Sequence, residues 1–493
     1  MSDRTPDGDA APVTSTGASL ARAFLVGVGG AGMSGIAGML AERGLPVAGS
    51  DARESLVLQD LRDRGVIGFV GHDGAQLDAL PGGPTAVVVS TAVRPDNPEV
   101  LAARERGIPV VRRAEALAAL MADRRSVCVA GTHGKTSTTS MLTVALREAG
   151  LDPSFAIGGE LNTAIAGSRH AHGGGGDVFV AEADESDGSF LSFAPHGAIV
   201  TNLEPDHLDH HGTAEAYQAV FDAFVDRILP GGFLVACAED AGSAALAGRA
   251  RLGRIVTYGW ANTGDGVTPD GGSGGPDVRI TRPSTLGAAA TISLADGRAF
   301  DVTLPVPGEH MLLNAAAALA AGVELGADPV ALARGLSGYG GVRRRFERKG
   351  SADGVEVYDD YAHHPTEVRA QIRAAREIVP ADGRLVVVFQ PHLYSRTAAF
   401  AAEFGDALGE ADVVVLLDVY GAREEPVPGV TGALVAQHVP TADRAVQVVF
   451  HADRATAAAR VLPLLHARDL VITMGAGDIT SLGPDLLALL EDR

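Results

Sequence analysis

The sequence predicts an α/β protein built from three domains in series. Short apolar runs alternate with helical segments along the chain, which is typical of parallel sheets covered by helices. A chain of 493 residues favours about three domains at roughly 150 residues each. Its 46% apolar and 20% charged residues are enough to bury a core in each domain and exclude wholesale disorder.

The composition also excludes several classes of function. The net charge of −21 argues against a nucleic-acid binder or an anionic-membrane binder, because both need a basic surface. Cys128 and Cys237 have no metal-ligand spacing, so we expect buried free thiols in a reducing compartment. No apolar run reaches about 18 residues, and we therefore expect a cytoplasmic protein without a membrane span. Residues 1–20 are predicted to form a dispensable, disordered tail, not a signal peptide.

The first domain, residues 21–122, opens with a glycine turn between a predicted strand and a predicted helix. The turn has G-x-G-x-x-G spacing, and an aspartate ends the next strand. Glycines let the backbone approach a diphosphate, and the helix N-terminus offers N–H groups and partial positive charge. The pattern alone leaves open an NAD-dependent oxidoreductase, another nucleoside diphosphate ligand, and a tight turn without ligand. These elements are strand Ala23–Val28, glycines Gly27, Gly29, Gly30 and Gly32, helix Met33–Arg43, and Asp51.

The second domain, residues 123–342, contains a variant phosphate-binding loop. The segment GTHGKTS, residues 131–137, follows a predicted strand directly and precedes a helix. Its backbone N–H groups can wrap phosphates, Lys135 can reach the β and γ oxygens, and Thr136 can hold Mg²⁺. Lys135 and Lys349 are the only lysines in the chain, which weighs against an ordinary surface charge. We therefore predict phosphate binding here.

Two acidic turns follow neighbouring strands of the same predicted sheet. The first is EADESD, residues 182–187, and the second is NLEPDHLD, residues 202–209, with His210 and His211 next. Carboxylates at the ends of strands parallel to the phosphate-loop strand are placed to bind Mg²⁺. Zinc is less favoured because no thiolate joins the histidines. Exposed acidic turns are the alternative. Residues 262–276, rich in Gly, Asp and Pro, predict a mobile surface loop.

The third domain, residues 343–493, carries three polar turns at predicted strand ends. They are DDYAHHP (359–365), QPHLYSR (390–396) and GAGD (475–478). Ligands of α/β sheets bind outside the carboxyl ends of the strands, so together these turns predict a ligand site. Each could instead be a capped helix or a simple turn: Pro365 fits a first helical turn and Gly477 fits a positive φ. The predicted strands are Val355–Tyr358, Leu385–Phe389, Val413–Leu417, Ala445–Val449 and Leu470–Met474.

Taken together, these motifs resemble the Mur ligases. The resemblance spans about residues 24–477. The phosphate loop and the metal motifs are shared with the Mur and folylpolyglutamate synthetase superfamily, whereas the first glycine loop and EADESD point to the L-alanine-adding branch. The motifs are, in order, GVGGAGMSGIA (27–37), GTHGKTS (131–137), EADESD (182–187), TNLEPDHLD (201–209), RRRF (343–346), DDYAHHPTEV (359–368) and GAGDI (475–479).

The resemblance implies an N-terminal Rossmann-like UDP-binding domain, a central P-loop ATPase-like domain, and a C-terminal Rossmann-like domain that brings the amino acid and closes on ATP. It implies ATP-dependent ligation of L-alanine to the lactyl carboxylate of UDP-N-acetylmuramate through an acyl phosphate, a step of peptidoglycan precursor synthesis. ATP is then a co-substrate, and two Mg²⁺ ions, replaceable by Mn²⁺, are the expected cofactors. We expect a monomer or a weak homodimer.

Site residues follow from the same resemblance. The UDP-sugar is expected on Gly27, Gly29, Gly30, Gly32, Ser50, Asp51, His72 and Ser90. ATP is expected on Gly131, Thr132, His133, Gly134, Lys135, Thr136, Ser137 and, near the adenine, Asn314. One metal is expected on Thr136 and Glu182 and another on His207. Arg345 and Asp360 are expected to orient the nucleotide, and the expected amino-acid contacts are Tyr361, His363 and Arg396.

Two positions depart from the family pattern. Many relatives have asparagine where this chain has Met311, so an amide that could bind adenine is lost and Asn314 is expected to make that contact. Many relatives also have arginine in the slot of Leu393. Arg396 is the candidate to hold the amino-acid carboxylate in its place.

Three rival functions remain open from the sequence. A recycling ligase would attach a whole tripeptide to the same UDP-sugar, but that branch reads Glu-Tyr-Asp where this chain has residues 185–187 as Glu-Ser-Asp. An NAD-dependent oxidoreductase would leave the phosphate loop and both metal motifs without a role. A non-catalytic nucleotide-binding protein would bind ATP without releasing phosphate when both other substrates are added.

Overall fold

The structure, a computed structural model, describes residues 11–165, 167–261, 275–282, 288–422, 424–441 and 446–493. It confirms the α/β class and the three-domain architecture, with one sheet of five, one of ten and one of six strands. The chain divides into two compact units. The first extends to Thr281 and also takes residues 291–302 and 313–339, and the second takes the remainder from Arg282.

The first sheet is wholly parallel, in the order β3-β2-β1-β4-β5. Strands and helices alternate along this domain as the sequence predicts, and the glycine turn joins the central strand to the first helix. The elements are β1 (Ala23–Val26), α1 (Ala31–Glu42), β2 (Val47–Asp51), α2 (Leu56–Asp63), β3 (Ile67–Val70), β4 (Ala86–Val89), α3 (Pro98–Glu105), β5 (Val110–Arg112) and α4 (Arg113–Met121).

The central sheet is mixed, in the order β15-β14-β13-β12-β11-β10-β6-β9-β7-β8, and its phosphate-loop strand β6 lies between the strands that lead to the two acidic turns. The elements are β6 (Arg125–Ala130), α5 (Lys135–Glu148), β7 (Ser154–Ala156), β8 (Ala171–His172), β9 (Val178–Glu182), β10 (Gly197–Val200), α6 (Leu208–His211), α7 (Ala214–Val225), β11 (Phe233–Cys237), α8 (Ala241–Arg249), β12 (Ile255–Trp260), β13 (Val278–Thr281), β14 (Ala289–Ser293), β15 (Ala299–Thr303), α9 (Glu309–Glu324) and α10 (Pro329–Ser337).

The third sheet has the order β16-β17-β21-β18-β19-β20 and is parallel except for the hairpin of its first two strands. Its strands β18 and β21 have the bounds that the sequence predicts. The elements are β16 (Glu347–Ala352), β17 (Val355–Asp360), α11 (Pro365–Ile378), β18 (Leu385–Phe389), α12 (Tyr394–Leu408), β19 (Val413–Leu416), α13 (Gly432–Ala436), β20 (Gln447–Phe450), α14 (Ala457–Val461), β21 (Leu470–Met474) and α15 (Leu482–Glu491).

The first two domains share one hydrophobic core. A single cluster of buried side chains includes Leu25 and Leu40 of the first domain together with Cys128 and Phe179 of the central one. Each Å² of apolar surface that is removed from water contributes about 25 cal/mol to the free energy of folding. The two domains therefore stabilise each other. Both cysteines are free and buried, as predicted. No helix among the described residues is long and apolar enough to cross a membrane.

Two sequence predictions are wrong in part. The predicted disordered tail does not hold for residues 11–20, because Ala18 and Leu20 lie in the shared core and Val13 forms a β-bridge with Ser19; residues 1–10 lie outside the described residues. The positive φ expected at Gly477 belongs instead to Gly475 (φ +149°), where a Cβ would lie 2.6 Å from a backbone carbonyl. Of the predicted 262–276 loop, residues 262–274 lie outside the described part.

The helices differ in how their first N–H groups are capped. Several helices start at a side chain that accepts backbone hydrogen bonds: for example, Asn97 caps α3, Thr213 caps α7 and Asp328 caps α10. Helices α1 and α5 start instead at Gly30 and Gly134, which offer no side chain to the first N–H groups. Those N–H groups are consequently available to an anion.

Candidate functional site

The phosphate loop holds its lysine tightly against its own backbone. Gly134 has φ +81°, a left-handed conformation that suits glycine, and it lets α5 begin directly at Lys135. The Lys135 ammonium donates to the carbonyls of Gly131 (2.7 Å) and Thr132 (3.1 Å). The strand–loop–helix arrangement that the sequence predicts is present, with Thr136 and Ser137 buried in the first turn of the helix.

Side chains from the end of strand β10 fasten this loop. Asn202 Oδ1 accepts from the backbone N–H of His133 (2.7 Å), and Thr201 Oγ1 donates to the His133 carbonyl (2.6 Å). The hydroxyl of Thr132 donates to the carbonyl of Glu204 (3.0 Å). The end of strand β10 and the second acidic turn thus fix the shape of the loop.

The two residues predicted to share a metal lie in contact. Thr136 Oγ1 donates to Glu182 Oε1 at 3.0 Å, and the backbone N–H of Gly158 donates to Glu182 Oε2 at 2.7 Å. His207, with φ +52°, lies beside other carboxylates: its Nε2 is 3.7 Å from Asp206 and 3.9 Å from Glu185. Hard oxygen donors at the end of a helix-capped loop fit a small divalent cation such as Mg²⁺.

A buried ion pair joins the phosphate loop to the first acidic turn. Lys135 Nζ lies 3.0 Å from Glu185 Oε1 and 2.8 Å from Oε2, and the carboxylate is fully buried. Burial raises the pKa of Glu185 to about 7, although Lys135 lowers it. Burial also acts to lower the pKa of Lys135, but Glu185 and Asp184 outweigh it and the pKa is raised. The ammonium therefore keeps its charge at neutral pH.

Asn314 lies against the same loop. It is buried on α9, and a Cβ placed on Gly134 would be 2.9 Å from its Oδ1. Met311, one turn earlier, is also buried. The structure thus brings the polar side chain of Asn314 to the loop.

The first glycine loop is closed by the aspartate that follows it in sequence. Asp51 Oδ2 accepts from the backbone N–H of Gly29 at 2.9 Å, and the N–H of Gly27 donates to the Ser50 carbonyl at 2.8 Å. Nδ1 of His72 lies 3.0 Å from Ser50 Oγ and 3.1 Å from Oε1 of the buried Glu99. These predicted UDP-sugar residues therefore gather at one edge of the sheet. Ser90 directly follows the neighbouring strand β4, half-buried.

A cleft of about 200 Å³ lies inside the first compact unit. Gly32 of the first glycine loop and Arg113 line it, and so do Glu182 and Asp184 of the first acidic turn. Glu182 in turn contacts Thr136 of the phosphate loop. Arg113 Nη1 would lie 2.9 Å from a Cβ on Gly32, so its guanidinium covers the start of α1. The cleft therefore borders both a helix N-terminus and the carboxylate that contacts the phosphate loop.

The third domain gathers its predicted residues around a buried aspartate. The Asp360 carboxylate accepts from the backbone N–H groups of Phe346 and Ala362, each at 2.7 Å. Burial raises the pKa of Asp360 to about 7, although Arg345 lowers it. The Arg345 guanidinium lies over the Tyr361 ring, 5.3 Å from its centroid. The end of strand β17, where the sequence predicted a ligand site, thus combines a carboxylate, a cation and an aromatic face.

Histidine and arginine side chains extend this group. The His363 ring packs edge-on against Tyr361 (5.3 Å between centroids) and against His392 (5.9 Å). Burial lowers the pKa of His363 to about 3, although Glu367 raises it, so the imidazole is neutral. Arg396 is buried on α12, just after Leu393, which has φ +68°. The neutral imidazole can accept a hydrogen bond from the amino group of a small amino acid, and the buried guanidinium can bind its carboxylate.

Comparison with known proteins decides the family. Residues 24–125 match the description "Mur ligase family, catalytic domain", residues 129–322 match "Mur ligase middle domain", and residues 344–477 match "Mur ligase, glutamate ligase domain". The chain belongs to the Mur ligase family.

Relatives within the Mur ligase family are similar over nearly their whole length. The UDP-N-acetylmuramate–L-alanine ligase of Saccharopolyspora erythraea is 60% identical over 489 residues, covering 98% of this chain and 96% of that protein. The ligase of the same name from Kineococcus radiotolerans is 59% identical, covering 97% and 98%. The crystal structure of the UDP-N-acetylmuramate–alanine ligase of Thermotoga maritima has a TM-score of 0.75 at 27% identity, covering 96% and 99%.

Sequence reasoning missed several residues of this Mur ligase site. Glu185 lies within the EADESD motif, but the sequence suggested no specific role for it. Tyr217 and Arg113 were not predicted as site residues. Glu185 carried a signal, since it is one of four acids within residues 182–187 and such a cluster needs a cation. Tyr217 and Arg113 lie in ordinary helical segments, and only the folded chain brings them to the loops.

Proposed function

We propose that this protein joins L-alanine to the lactyl carboxylate of UDP-N-acetylmuramate, forming UDP-N-acetylmuramoyl-L-alanine with release of ADP and phosphate. It is an ATP-dependent ligase that forms a C–N bond in peptidoglycan precursor synthesis, and thereby serves cell wall biogenesis, cell shape and cell division. The cleft lined by Gly32 and Glu182 carries the proposal, because it borders the first glycine loop and the carboxylate that contacts Thr136 of the phosphate loop. Near-full-length relatives bearing the name of this activity support it.

In the proposed reaction, the lactyl carboxylate attacks the γ-phosphorus of ATP and ADP leaves, which gives an acyl phosphate. The amine of L-alanine then attacks the acyl carbon, phosphate leaves, and the nitrogen loses a proton. The N–H groups of residues 134–137 would bind the phosphates, and Lys135 would neutralise charge that grows on the phosphoryl oxygens. The N–H groups of Thr132 and His133 donate to Asn202 in this structure, so these two residues are proposed to shape the ATP-binding loop. Asn314 is proposed near the adenine.

Divalent cations complete the proposed site. The Thr136 hydroxyl and the Glu182 carboxylate, 3.0 Å apart, would hold one Mg²⁺, and His207 would contribute to a second. When bound, Mg²⁺ neutralises phosphate oxygens and so favours phosphoryl transfer. Mn²⁺, which accepts the same oxygen and imidazole donors, is proposed as a substitute.

The first domain is proposed to bind the UDP moiety. The N-terminus of α1 and the loop glycines would hold the diphosphate, and Asp51 would contact the ribose in the way that an acidic residue does in this type of fold. Arg113 would add a cation at the diphosphate. Ser50, His72 and Ser90 are proposed to surround the remaining part of the nucleotide.

The third domain is proposed to provide the amino-acid contacts. Tyr361, His363 and Arg396 would bind L-alanine, with the Arg396 guanidinium toward its carboxylate. Arg345 and Asp360 are proposed to orient the nucleotide. We propose a cytoplasmic protein, supported by its free, buried thiols, and a monomer or weak homodimer.

One assay tests the proposed function. Phosphate release is measured with ATP, Mg²⁺ and UDP-N-acetylmuramate, while L-alanine, glycine, L-serine and the tripeptide are supplied in turn. We expect release that depends strictly on L-alanine. Release with the tripeptide alone would favour the recycling ligase, and ATP binding without any release would favour a non-catalytic binding protein. Either of these outcomes contradicts the proposal.

A further inference from the structure

Glu185 has the geometry of a residue that sets the position of the phosphate-loop lysine. Lysine is a point charge on a flexible stem, so its catalytic value depends on what fixes the ammonium. Here three acceptors surround Nζ: the carbonyls of Gly131 and Thr132 and the carboxylate of Glu185. The two carbonyls belong to the loop itself, and Glu185 is the anchor that comes from outside it.

Glu185 is in turn held from behind. The Tyr217 hydroxyl donates to Glu185 Oε1 at 3.3 Å and also lies 3.1 Å from Thr132 Oγ1. Tyr217 is fully buried, packed against Phe221 at 5.3 Å between ring centroids. His211 Nε2 lies 3.0 Å from the Glu185 carbonyl and holds its backbone. The carboxylate therefore has little freedom to follow the lysine.

We propose that Glu185 is a positioning residue, which fixes the Lys135 ammonium for phosphoryl transfer and is itself oriented by Tyr217. The inference rests on the proposed function and deepens it. Glu185 acts through Lys135 and does not touch the substrates. Its negative charge opposes the binding of another anion, so it contributes to the rate of transfer and not to the affinity for ATP.

The test is a KM-against-kcat split with Glu185→Gln, which keeps the shape of the side chain and removes its charge. We expect kcat to fall on the order of ten-fold, the effect of weakening one charge-assisted contact, while KM for ATP does not rise. A merely structural role would distort the loop and raise KM for ATP. An unchanged kcat, or a rise in KM for ATP, overturns the proposal.

A double-mutant cycle supplies the second readout. If Glu185 acts through Lys135, Glu185→Gln should cause no further loss of kcat in a Lys135→Ala background. The same ten-fold loss in both backgrounds would show that Glu185 acts independently. A wild-type enzyme without L-alanine-dependent phosphate release refutes the proposed function itself, whereas an active wild type with an unaltered Glu185→Gln variant refutes only the positioning role.

Two further variants guard against misfolding. Tyr217→Phe removes one hydroxyl from the same chain of contacts and should lower kcat by a smaller factor, again without raising KM for ATP. It carries the test if Glu185→Gln does not fold, as judged by circular dichroism. Asp222→Asn is the matched control, because Asp222 lies on the same helix as Tyr217 and its carboxylate pairs with Arg249 at the surface, at 2.6 Å. Its kinetics should equal those of the wild type.

Discussion

The two glycine loops of the first compact unit share one backbone arrangement but differ in the charged side chain that each loop contacts. Each follows a buried central strand and opens a helix whose N-cap is glycine, Gly30 or Gly134. The first loop is closed by a carboxylate, since Asp51 accepts from Gly29. The second contains its own cation, Lys135, which a buried carboxylate holds in place.

The difference teaches what a phosphate site needs for binding and for transfer. Under the proposed function, the first loop only binds a diphosphate, for which backbone N–H groups, a helix N-terminus and the guanidinium of Arg113 would suffice. A phosphoryl group that is transferred develops charge that must be met by a fixed cation. The comparison predicts that changes in the second loop alter the rate and that changes around the first alter UDP-sugar binding.

The largest effect is expected for Lys135→Ala. Loss of a transition-state charge contact should lower L-alanine-dependent phosphate release by at least about two orders of magnitude. UDP-N-acetylmuramate binding, measured by calorimetry, should stay unchanged. The matched control is Lys349→Ala, the other lysine of the chain, which pairs with Glu347 at 3.2 Å in the third domain. Equal activity of the Lys135 variant and wild type would remove the catalytic role of the second loop.

The next largest effect is expected for Gly134→Ala. A side chain at φ +81° costs roughly 1–2 kcal/mol, and the methyl group would lie 2.9 Å from Asn314 Oδ1. We expect kcat/KM for ATP to fall about ten-fold because the loop N–H groups must move. Gly150→Ala is the control: its φ of +79° imposes the same strain just beyond the end of the same helix, with no atom within 4 Å of the new Cβ. The hypothesis fails if both variants lose the same catalytic efficiency.

A smaller effect, confined to the first loop, is expected for Arg113→Ala. The guanidinium at the start of α1 should contribute to diphosphate binding, so KM for UDP-N-acetylmuramate should rise by roughly ten-fold at most. Both kcat and KM for ATP should stay unchanged. Arg112→Ala, which alters the preceding, exposed side chain, serves as the control. A fall in kcat without a change in KM would contradict the division of labour between the loops.

The smallest effect, on the pH dependence of stability, is expected at a third junction between a glycine and a helix, where a histidine side chain packs against the glycine. Gly308 precedes α9, and the His310 ring lies 2.6 Å from where its Cβ would be. Burial lowers the pKa of His310 to about 4, although Glu367 raises it. An unfolded histidine binds its proton near pH 6.5. The neutral His310 imidazole therefore contributes fully to the unfolding free energy above pH 6.5. This contribution decreases as the pH falls from 6.5 toward 4, by at most about 1.4 kcal/mol per pH unit.

Urea denaturation of wild type and His310→Gln at several pH values measures this contribution. The stability difference between the two proteins should shrink as the pH falls from 6.5 to 4. His451→Gln, at a half-buried imidazole whose Nε2 lies 2.8 Å from Thr456 Oγ1, is the control variant and should follow the wild-type pH dependence. A constant difference between wild type and the His310 variant would show that the imidazole does not stay neutral in the folded protein.

Much of the fold could be predicted because buried parallel strands are continuous apolar runs. Strands β18 and β21 were predicted to the residue for this reason. The short strands β7 and β8 and the strands β13 to β15 were missed, since short or half-exposed strands have no such run. The tail prediction failed for residues 11–20 because composition does not reveal that Ala18 and Leu20 meet a preformed core.

In the candidate site too, features encoded by neighbouring residues could be predicted, whereas contacts between residues far apart in the sequence could not. Lys135, Thr136 and the acidic turns could be proposed from the sequence because their pattern is local: a loop and a helix start are encoded within seven residues. The structure brings these residues into contact. The partner of Lys135 was not found, because Glu185 is 50 positions away and several acids near it were equally plausible. The turn at residues 475–478 was located correctly, but the positive φ was placed at the wrong glycine.

By itself, the sequence determined the three α/β domains, the two loops and the residue types able to bind phosphates and Mg²⁺, because strand runs, glycine spacing and helix starts are local properties. The tertiary structure alone decided which carboxylate faces Lys135, that Tyr217 orients it, and that Arg113 covers Gly32. Those choices depend on which side chains are buried together, since burial sets both the cost of a charge and the partner that must offset it.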